Sequence, residues 1–193
     1  MLPMELKDRT LGLIGLGDIG REVARLAGAF GSKVIYYKRN RLSEEAEHQL
    51  SVEYRSFEEL LAESDIVSLH VPLTDETRGL ISRKEIDLMK NGAILINTAR
   101  EHIMDEEAVA ETLKIGKLSG VGVDTVPMRV EDGFFVFDSP LPALENVVLT
   151  PHTAGASKEA LIRANVMWVE NVTRFLNGEE PLHLVNDAWP SDS

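Results

Sequence analysis

The feature that most constrains the fold is a glycine-rich turn near the start of the chain, where Gly15, Gly17 and Gly20 are spaced as G-x-G-x-x-G. An apolar run at residues 11–16 leads into this turn, and a helical pattern follows at residues 19–27. In such a strand-turn-helix, the first glycine permits the tight turn, the second lets the backbone approach a pyrophosphate, and the third lets the helix pack closely. The helix N-terminus then faces the phosphates. The pattern predicts a dinucleotide-binding turn, and its flanking elements argue against an ordinary glycine turn.

Short apolar runs rich in β-branched residues alternate with helical patterns along the chain. The runs predicted to be strands are Thr10–Ile14, Lys33–Tyr37, Ile66–Leu69, Ala93–Asn97, Leu118–Val123 and Val147–Leu149. Their near-continuous hydrophobicity indicates strands that are covered on both faces. The sequence therefore predicts an α/β fold, a Rossmann-type doubly wound parallel sheet in three α/β/α layers.

A single dinucleotide-binding domain is predicted over residues 5–178, ending in a C-terminal helix. This helix is expected over Lys158–Leu176, because Asn177 and Gly178 form a typical helix stop. Residues 179–193 are predicted to be a polar, loosely held tail. A chain of 193 residues with 44% hydrophobic content can bury the core of one such domain.

Composition disfavours several classes of partner and site. The chain has 20 basic and 32 acidic residues, and its net charge of -12 opposes attraction to nucleic acid or anionic lipid. It has no cysteine, and therefore neither disulfides nor thiolate chemistry. Without a leader or a long uncharged run in the sequence, we expect a cytoplasmic protein with no membrane partner. The histidines lack metal-ligand spacing, so no metal site is predicted.

The end of the second predicted strand carries a cluster of positive charge. In such folds the residue about 20 positions beyond the glycines meets the adenosine ribose. Here that residue is Lys38, which Arg39 and Arg41 follow closely. An acidic residue would bind the ribose 2′-hydroxyl, whereas a cationic cluster is suited to a 2′-phosphate. NADP is therefore the predicted cofactor, with NAD as the second choice, and a solvated basic loop is the alternative interpretation.

Five segments, in order along the chain, resemble the D-isomer-specific 2-hydroxyacid dehydrogenases, and among them the glyoxylate and hydroxypyruvate reductases that use NADP. They are LIGLGDIG at 13–20, LHVPLT at 69–74, ILINTAR at 94–100, GVD at 122–124 and LTPHTAG at 149–155. The resemblance runs over most of the chain. It implies hydride transfer between a nicotinamide cofactor and a 2-keto or 2-hydroxy acid.

The resemblance also implies roles for individual residues. Arg100 would hold the carboxylate and carbonyl of the substrate, His152 would pass a proton to or from the substrate oxygen, and Asp124 would meet the nicotinamide carboxamide. The chemistry suits the first two, since arginine offers a planar fork for a carboxylate and histidine titrates near neutral pH. Val71 and Pro72 would line the adenosine side. The remaining positions predicted to contact the cofactor are Gly15, Gly17, Asp18, Ile19, Gly20, Thr77, Thr98, Ala99, His152 and Ala154.

The sequence departs from the family's pattern in three places. We expect the family's N-terminal substrate domain to be missing from this chain, so that a separate substrate domain or a homodimer partner would complete the cleft. Arg129 stands, in an ungapped comparison, where the family has a glutamate that raises the pKa of the catalytic histidine, and Glu131 lies two residues on. Glu101 replaces the glycine expected after Arg100, where it either competes for the guanidinium or faces His102 or solvent.

Two functions follow from these observations. The first is the dinucleotide-binding domain of an NADP-preferring 2-keto acid reductase, with turnover impaired in isolation. The second is a binding module on the same scaffold that holds a dinucleotide without turnover, as a sensor or interaction partner. Arg100 and His152 favour the first, because a pure binder does not need both, whereas the missing substrate domain and Arg129 favour the second.

Overall fold

The structure is a computed structural model that describes residues 5–184, apart from the side chain of Phe135. The chain divides into two compact units between Pro151 and His152. The first unit contains the sheet, and the second contains the long C-terminal helix. Residues 185–193 of the predicted polar tail lie outside the described residues.

The strands of the described chain include every strand predicted from the sequence. They are β1 (Thr10–Ile14), β2 (Lys33–Tyr37), β3 (Val52–Tyr54), β4 (Ile66–Leu69), β5 (Ala93–Asn97), β6 (Leu118–Val123), β7 (Met128–Glu131), β8 (Phe134–Phe137) and β9 (Val147–Leu149). The helices are α1 (Asp18–Ala29), α2 (Glu44–Leu50), α3 (Phe57–Glu63), α4 (Arg83–Leu88), α5 (Glu106–Lys114) and α6 (Lys158–Leu176).

The main sheet has seven strands in the order β3-β2-β1-β4-β5-β6-β9, and all of its pairings are parallel. The strand order reverses beside β1, since β2 lies on one side of it and β4 on the other. This confirms the predicted doubly wound parallel sheet. Open sheets of this type bind ligands outside the carboxyl ends of the strands at such a reversal.

Helices pack on both faces of the sheet. On one face α1 contributes Ala24 and Ala27 to a core with Leu13 of β1 and Tyr36 of β2. On the other face the cluster draws on α3, α4 and α5, including the fully buried Leu60 of α3. Both faces of β1 are thus covered, which explains the near-continuous hydrophobicity of the predicted strands.

An antiparallel hairpin formed by β7 and β8 was not predicted from the sequence. Its turn is Asp132-Gly133, where both residues have positive φ, 51° and 82°. Asp-Gly at a two-residue turn is typical of hairpins, because the aspartate tolerates and the glycine favours this left-handed backbone. Met128 and Phe137 are directly paired on one face of the hairpin and stay 56% and 49% exposed.

The second unit is built around α6, which ends where the sequence predicted. Ser157 caps its start by accepting a hydrogen bond from the Ala160 amide at 3.1 Å. After α6 the chain folds back, because the Leu182 amide donates to Asn171 Oδ1 at 2.7 Å. The described beginning of the predicted tail is therefore tied to the helix. No helix of residues 5–184 is long and apolar enough to cross a membrane.

Candidate functional site

The glycine turn between β1 and α1 has little room for side chains at two of its three glycines. Gly15 has a φ of 94°, and its amide donates to the Tyr37 carbonyl at 2.8 Å. A β-carbon on Gly15 would lie 2.7 Å from the carbonyl carbon of His70, and one on Gly20 would lie 2.8 Å from the Gly15 carbonyl oxygen. The turn is thus packed against the ends of β2 and β4 by backbone contacts.

Gly17 differs from the other two glycines because nothing lies within 4 Å of the position of its missing β-carbon. It is the N-cap residue of α1, and no side chain caps the helix there. Asp18 and Ile19 follow in the first turn, and both are exposed. The free backbone N–H groups at this 12-residue helix's start can therefore receive an anion directly.

A cavity of about 450 Å³ opens beside the turn at the carboxyl ends of the strands. Its lining includes six residues predicted to bind cofactor or substrate: Ile19, Val71, Pro72, Thr98, Ala99 and Arg100. It also includes His70 and Leu73, which were not predicted. The structure therefore brings the segments after β1, β4 and β5 together around one opening.

His70 lines this cavity and lies directly after β4. Its Nε2 atom is 2.9 Å from the hydroxyl of Ser68, and burial lowers the pKa of its imidazole, which favours the neutral ring. The His70 amide also donates to the Ile14 carbonyl at 2.7 Å. His70 therefore fixes the end of β4 against the glycine turn. The sequence feature that could have identified His70 as a cavity residue is its position directly after a predicted strand, in the LHVPLT segment.

Arg100 is exposed at the end of the loop that follows β5. The buried Asn97 side chain holds this loop, donating to the Arg100 carbonyl at 2.8 Å and accepting from the Ala99 amide at 3.1 Å. Among residues 5–184, Glu101 forms no ion pair with Arg100, whose Nη1 donates to the Ala99 carbonyl at 2.7 Å. Asn97 is thus a supporting residue that the sequence prediction missed.

Thr77 supports the loop after β4 and does not line the cavity. Its hydroxyl donates to the Pro72 carbonyl at 2.5 Å and accepts from the Thr74 amide at 2.8 Å. These bonds fix the conformation of the segment that carries Val71 and Pro72. Its predicted role as a direct cofactor contact stays a prediction.

Asp124 lies directly after β6, and neighbouring strands hold it in place. Its amide donates to the Asn97 carbonyl at 3.1 Å, and the Thr150 hydroxyl donates to its Oδ1 atom. The Thr150 amide in turn donates to the Val123 carbonyl at 3.0 Å. Asp124 is therefore held at the carboxyl edge of the sheet by the last residue of β5, which binds its amide, and by the residue after β9, which binds its carboxylate.

The three cations predicted to receive a 2′-phosphate do not share one environment. Arg41 makes a two-pronged ion pair with Glu47 of α2, Nε to Oε1 and Nη2 to Oε2, each at 2.8 Å. The hydrogen bonds from Arg41, which have the largest effect, and from Tyr36 lower the pKa of Glu47 to about 2. Lys38 and Arg39 form no ion pair within the described part of the chain. Within the cationic cluster, Arg41 is therefore paired with Glu47, whereas Lys38 and Arg39 are available to bind an anionic ligand.

Arg129 lies on β7 in the exposed hairpin. Its Nη1 atom donates to Asp138 Oδ1 at 2.8 Å and its Nη2 atom to Glu131 Oε2 at 3.2 Å. Two carboxylates therefore offset its charge locally. Glu131, the neighbouring candidate for the family's glutamate, is an ion-pair partner of Arg129.

His152 and Ala154 belong to the second unit. His152 is exposed and has a left-handed backbone with φ of 54°, and Ala154 starts a short 3₁₀ turn. In the described chain no group of three histidine, aspartate or glutamate side chains is arranged to hold a metal ion.

Comparison with known proteins gives the relationships of the whole chain. Residues 1–154 match the family described as D-isomer specific 2-hydroxyacid dehydrogenase, NAD binding domain. A glyoxylate reductase of Aeropyrum pernix is 45% identical over 186 residues, which are 96% of this chain and 54% of that protein. A hydroxypyruvate reductase of Thermotoga maritima is 44% identical over 172 residues, which are 89% of this chain and 54% of that protein.

Among solved structures, a D-lactate dehydrogenase with NAD+ from Lactobacillus jensenii superposes with a TM-score of 0.84 and 33% identity. The match covers 96% of this chain and 58% of that one. The chain spans about half the length of the curated relatives it matches.

Proposed function

The chain belongs to the D-isomer-specific 2-hydroxyacid dehydrogenases, as their NAD-binding domain, and from this membership we propose that it serves an NADPH-preferring 2-keto acid reductase. Short keto acids such as glyoxylate and hydroxypyruvate are the proposed substrates, because relatives at 44–45% identity carry those names. The observation that most supports the proposal is the cavity that joins Ile19, Val71 and Arg100 beside the glycine turn.

The glycine turn suits a dinucleotide's pyrophosphate. Open space at the Gly17 β-carbon position leaves the backbone approachable, and the start of α1 has no capping side chain. A phosphate there would accept hydrogen bonds from backbone N–H groups and gain from the helix dipole. These are the features that such a cofactor requires of its site.

A bound nicotinamide would supply the hydride that reduces the keto carbon. In the proposed reaction Arg100 binds the carboxylate of the substrate, and His152 donates the proton that the carbonyl oxygen takes up. Asp124 orients the carboxamide of the cofactor. The loop held by Asn97 fixes the backbone from which the Arg100 side chain extends.

The preference for NADPH is proposed from the two available cations after β2. Lys38 directly follows Tyr37, whose carbonyl accepts the Gly15 amide at 2.8 Å, so the loop begins beside the phosphate turn. Arg39 is exposed, and the pKa of Glu76 in the loop after β4 is lowered first by the hydrogen bond from Thr74 and in smaller part by the charge of Arg39. Charge-assisted hydrogen bonds contribute about 1.5–3 kcal/mol each, so one or two to a 2′-phosphate are enough for discrimination.

Calorimetric titration with NADPH and NADH tests the proposed cofactor site. We expect NADPH to bind at least about tenfold more tightly, corresponding to roughly 1.4 kcal/mol. Subsequent addition of glyoxylate or hydroxypyruvate, followed by nicotinamide absorbance, tests turnover. Binding of neither dinucleotide would contradict the proposed function, and binding without turnover would favour the non-catalytic module.

Neutralising the two available cations should remove the preference. In the double variant Lys38→Gln, Arg39→Gln, we expect the NADPH affinity to fall to about that of NADH, since the 2′-phosphate loses its partners. NADH affinity should change less than about twofold. The control is Lys114→Gln, which removes an exposed cation at the end of α5. Equal losses for both dinucleotides would place the 2′-phosphate elsewhere.

A further inference from the structure

Glu47 is a buried charged residue, with 9% of its surface exposed. A carboxylate removed from water is costly unless ion pairs and hydrogen bonds satisfy it. Here Arg41 supplies two hydrogen bonds at 2.8 Å, and the Tyr36 hydroxyl supplies a third at 2.7 Å to Oε1. The carboxylate is therefore well compensated, and removing one partner disturbs the others.

The two side chains that bind Glu47 come from β2 and from the loop that joins β2 to α2. Tyr36 lies on β2, Arg41 lies within residues 38–43, and Glu47 lies on α2. The Tyr36 hydroxyl also accepts the Leu42 amide at 2.9 Å, and the Arg41 guanidinium stacks 5.2 Å above the Tyr54 ring of β3. Strand, loop and helix thus converge on a single carboxylate.

The same network determines which cations of the loop are available. Residues 38–41 run between two fixed points, the Tyr37 carbonyl bonded to the Gly15 amide and the Leu42 amide bonded to Tyr36. Lys38 and Arg39 lie between these points, and neither has an ion-pair partner in the part of the chain that the structure describes. Arg41 holds the loop in place, and its charge is taken up by Glu47.

We propose that Glu47 is a positioning residue for cofactor discrimination, which anchors the loop through Arg41 and Tyr36 so that Lys38 and Arg39 face the adenosine 2′-phosphate. The inference rests on the proposed preference for NADPH. It assigns Arg41 a supporting role and not the phosphate contact that its position in the sequence predicts. Preorganisation of the two cations lowers the entropy lost when the phosphate binds.

The test compares Glu47→Gln with Glu45→Gln on the complete chain. Both variants remove one negative charge from α2, but Glu45 is exposed and its side chain contacts Gln49 of the same helix. For Glu47→Gln we expect NADPH affinity to fall about fivefold or more and NADH affinity to change less than about twofold. For Glu45→Gln we expect neither to change.

Hydrogen exchange of the Leu42 amide provides a second readout without any cofactor. This amide depends on Tyr36, so loosening the loop in Glu47→Gln should accelerate its exchange, whereas Glu45→Gln should leave it unchanged. The variant Arg41→Lys tests the same anchoring contact and leaves the buried Glu47 carboxylate in place. Lysine lacks the planar fork of arginine, so we expect the same selective loss of NADPH affinity and faster Leu42 exchange.

Three outcomes would overturn the inference. Unchanged Leu42 exchange in Glu47→Gln would show that Glu47 does not hold the loop. Equal losses for NADPH and NADH would show a general effect on the site. A gain in NADPH affinity would show that Arg41, once released, is itself the phosphate ligand. If the unmodified chain shows no preference for NADPH, the proposed cofactor preference fails separately, and exchange still decides whether Glu47 anchors the loop.

Discussion

Replacing Gly15 by alanine is expected to destabilise the first unit by about 2–6 kcal/mol. About 1–3 kcal/mol arises because a non-glycine residue is strained at positive φ, here 94°. A further 1–3 kcal/mol or so arises from overpacking, because the new β-carbon would lie 2.7 Å from the His70 carbonyl carbon and 3.0 Å from Val71 Cγ1. Backbone at the end of β4 cannot rotate away as a flexible side chain does. Urea unfolding followed by circular dichroism measures the loss.

The variant Gly92→Ala is the control for Gly15→Ala, because it introduces backbone strain without a steric clash. Gly92 has a φ of 79°, but nothing lies within 4 Å of its β-carbon position. Only the strain remains, so we expect a loss of about 1 kcal/mol. If the two variants lose equal stability, close packing of the turn against His70 is not what requires glycine at position 15.

Replacing Gly17 by alanine is expected to weaken dinucleotide binding at least about tenfold, or roughly 1.4 kcal/mol, while the fold is retained. In the free protein the β-carbon meets open space, and the φ of -85° and ψ of -161° suit any residue. Alanine is a poorer N-cap than glycine, so the cost in stability should stay within about 1 kcal/mol. A pyrophosphate approaching the backbone would meet the added methyl group. Calorimetry with NADPH and NADH measures the effect.

Gly28→Ala is the matched control for Gly17→Ala. Gly28 lies in the last turn of the same helix and also has nothing within 4 Å of its β-carbon position. Its replacement should leave binding unchanged and, since alanine favours helix, stabilise the chain by up to about 1 kcal/mol. Normal affinity in Gly17→Ala would mean that the phosphates do not approach this turn, and the proposed site would have to be moved.

The runs of apolar residues predicted most of the sheet because its parallel strands are buried on both faces, and capping patterns predicted helix ends. The predicted strands coincide with observed ones, and the stop at Asn177 and Gly178 ends α6. The strand Val52–Tyr54 was missed because it has only three residues and includes the charged Glu53. The hairpin was missed although Asp132 and Gly133 marked its turn, since its strands mix charged and apolar residues.

The site was predicted less completely than the fold because its details depend on contacts between distant segments. Lys38, Arg39 and Arg41 were grouped because they are close in the sequence. The ion pair of Arg41 with Glu47, however, depends on how α2 packs beside β2. The supporting role of Asn97 likewise depends on the turn its side chain bridges. Short motifs predict which segments meet at the cleft, and three-dimensional packing determines which polar groups remain available.

The hairpin lies between two strands that pair directly with each other in the main sheet. It occupies the connection between β6 and β9, whose register pairs Val121 with Val147 and Val123 with Leu149. Lengthening a connection is inexpensive, because each doubling of a flexible loop costs only about 0.6 kcal/mol. Asp124 and Thr150 at the two ends of this connection keep their hydrogen bond across it. A change in the length of this hairpin should therefore cost little stability, since the hydrogen bond between Thr150 and Asp124 ties the two ends of the connection together.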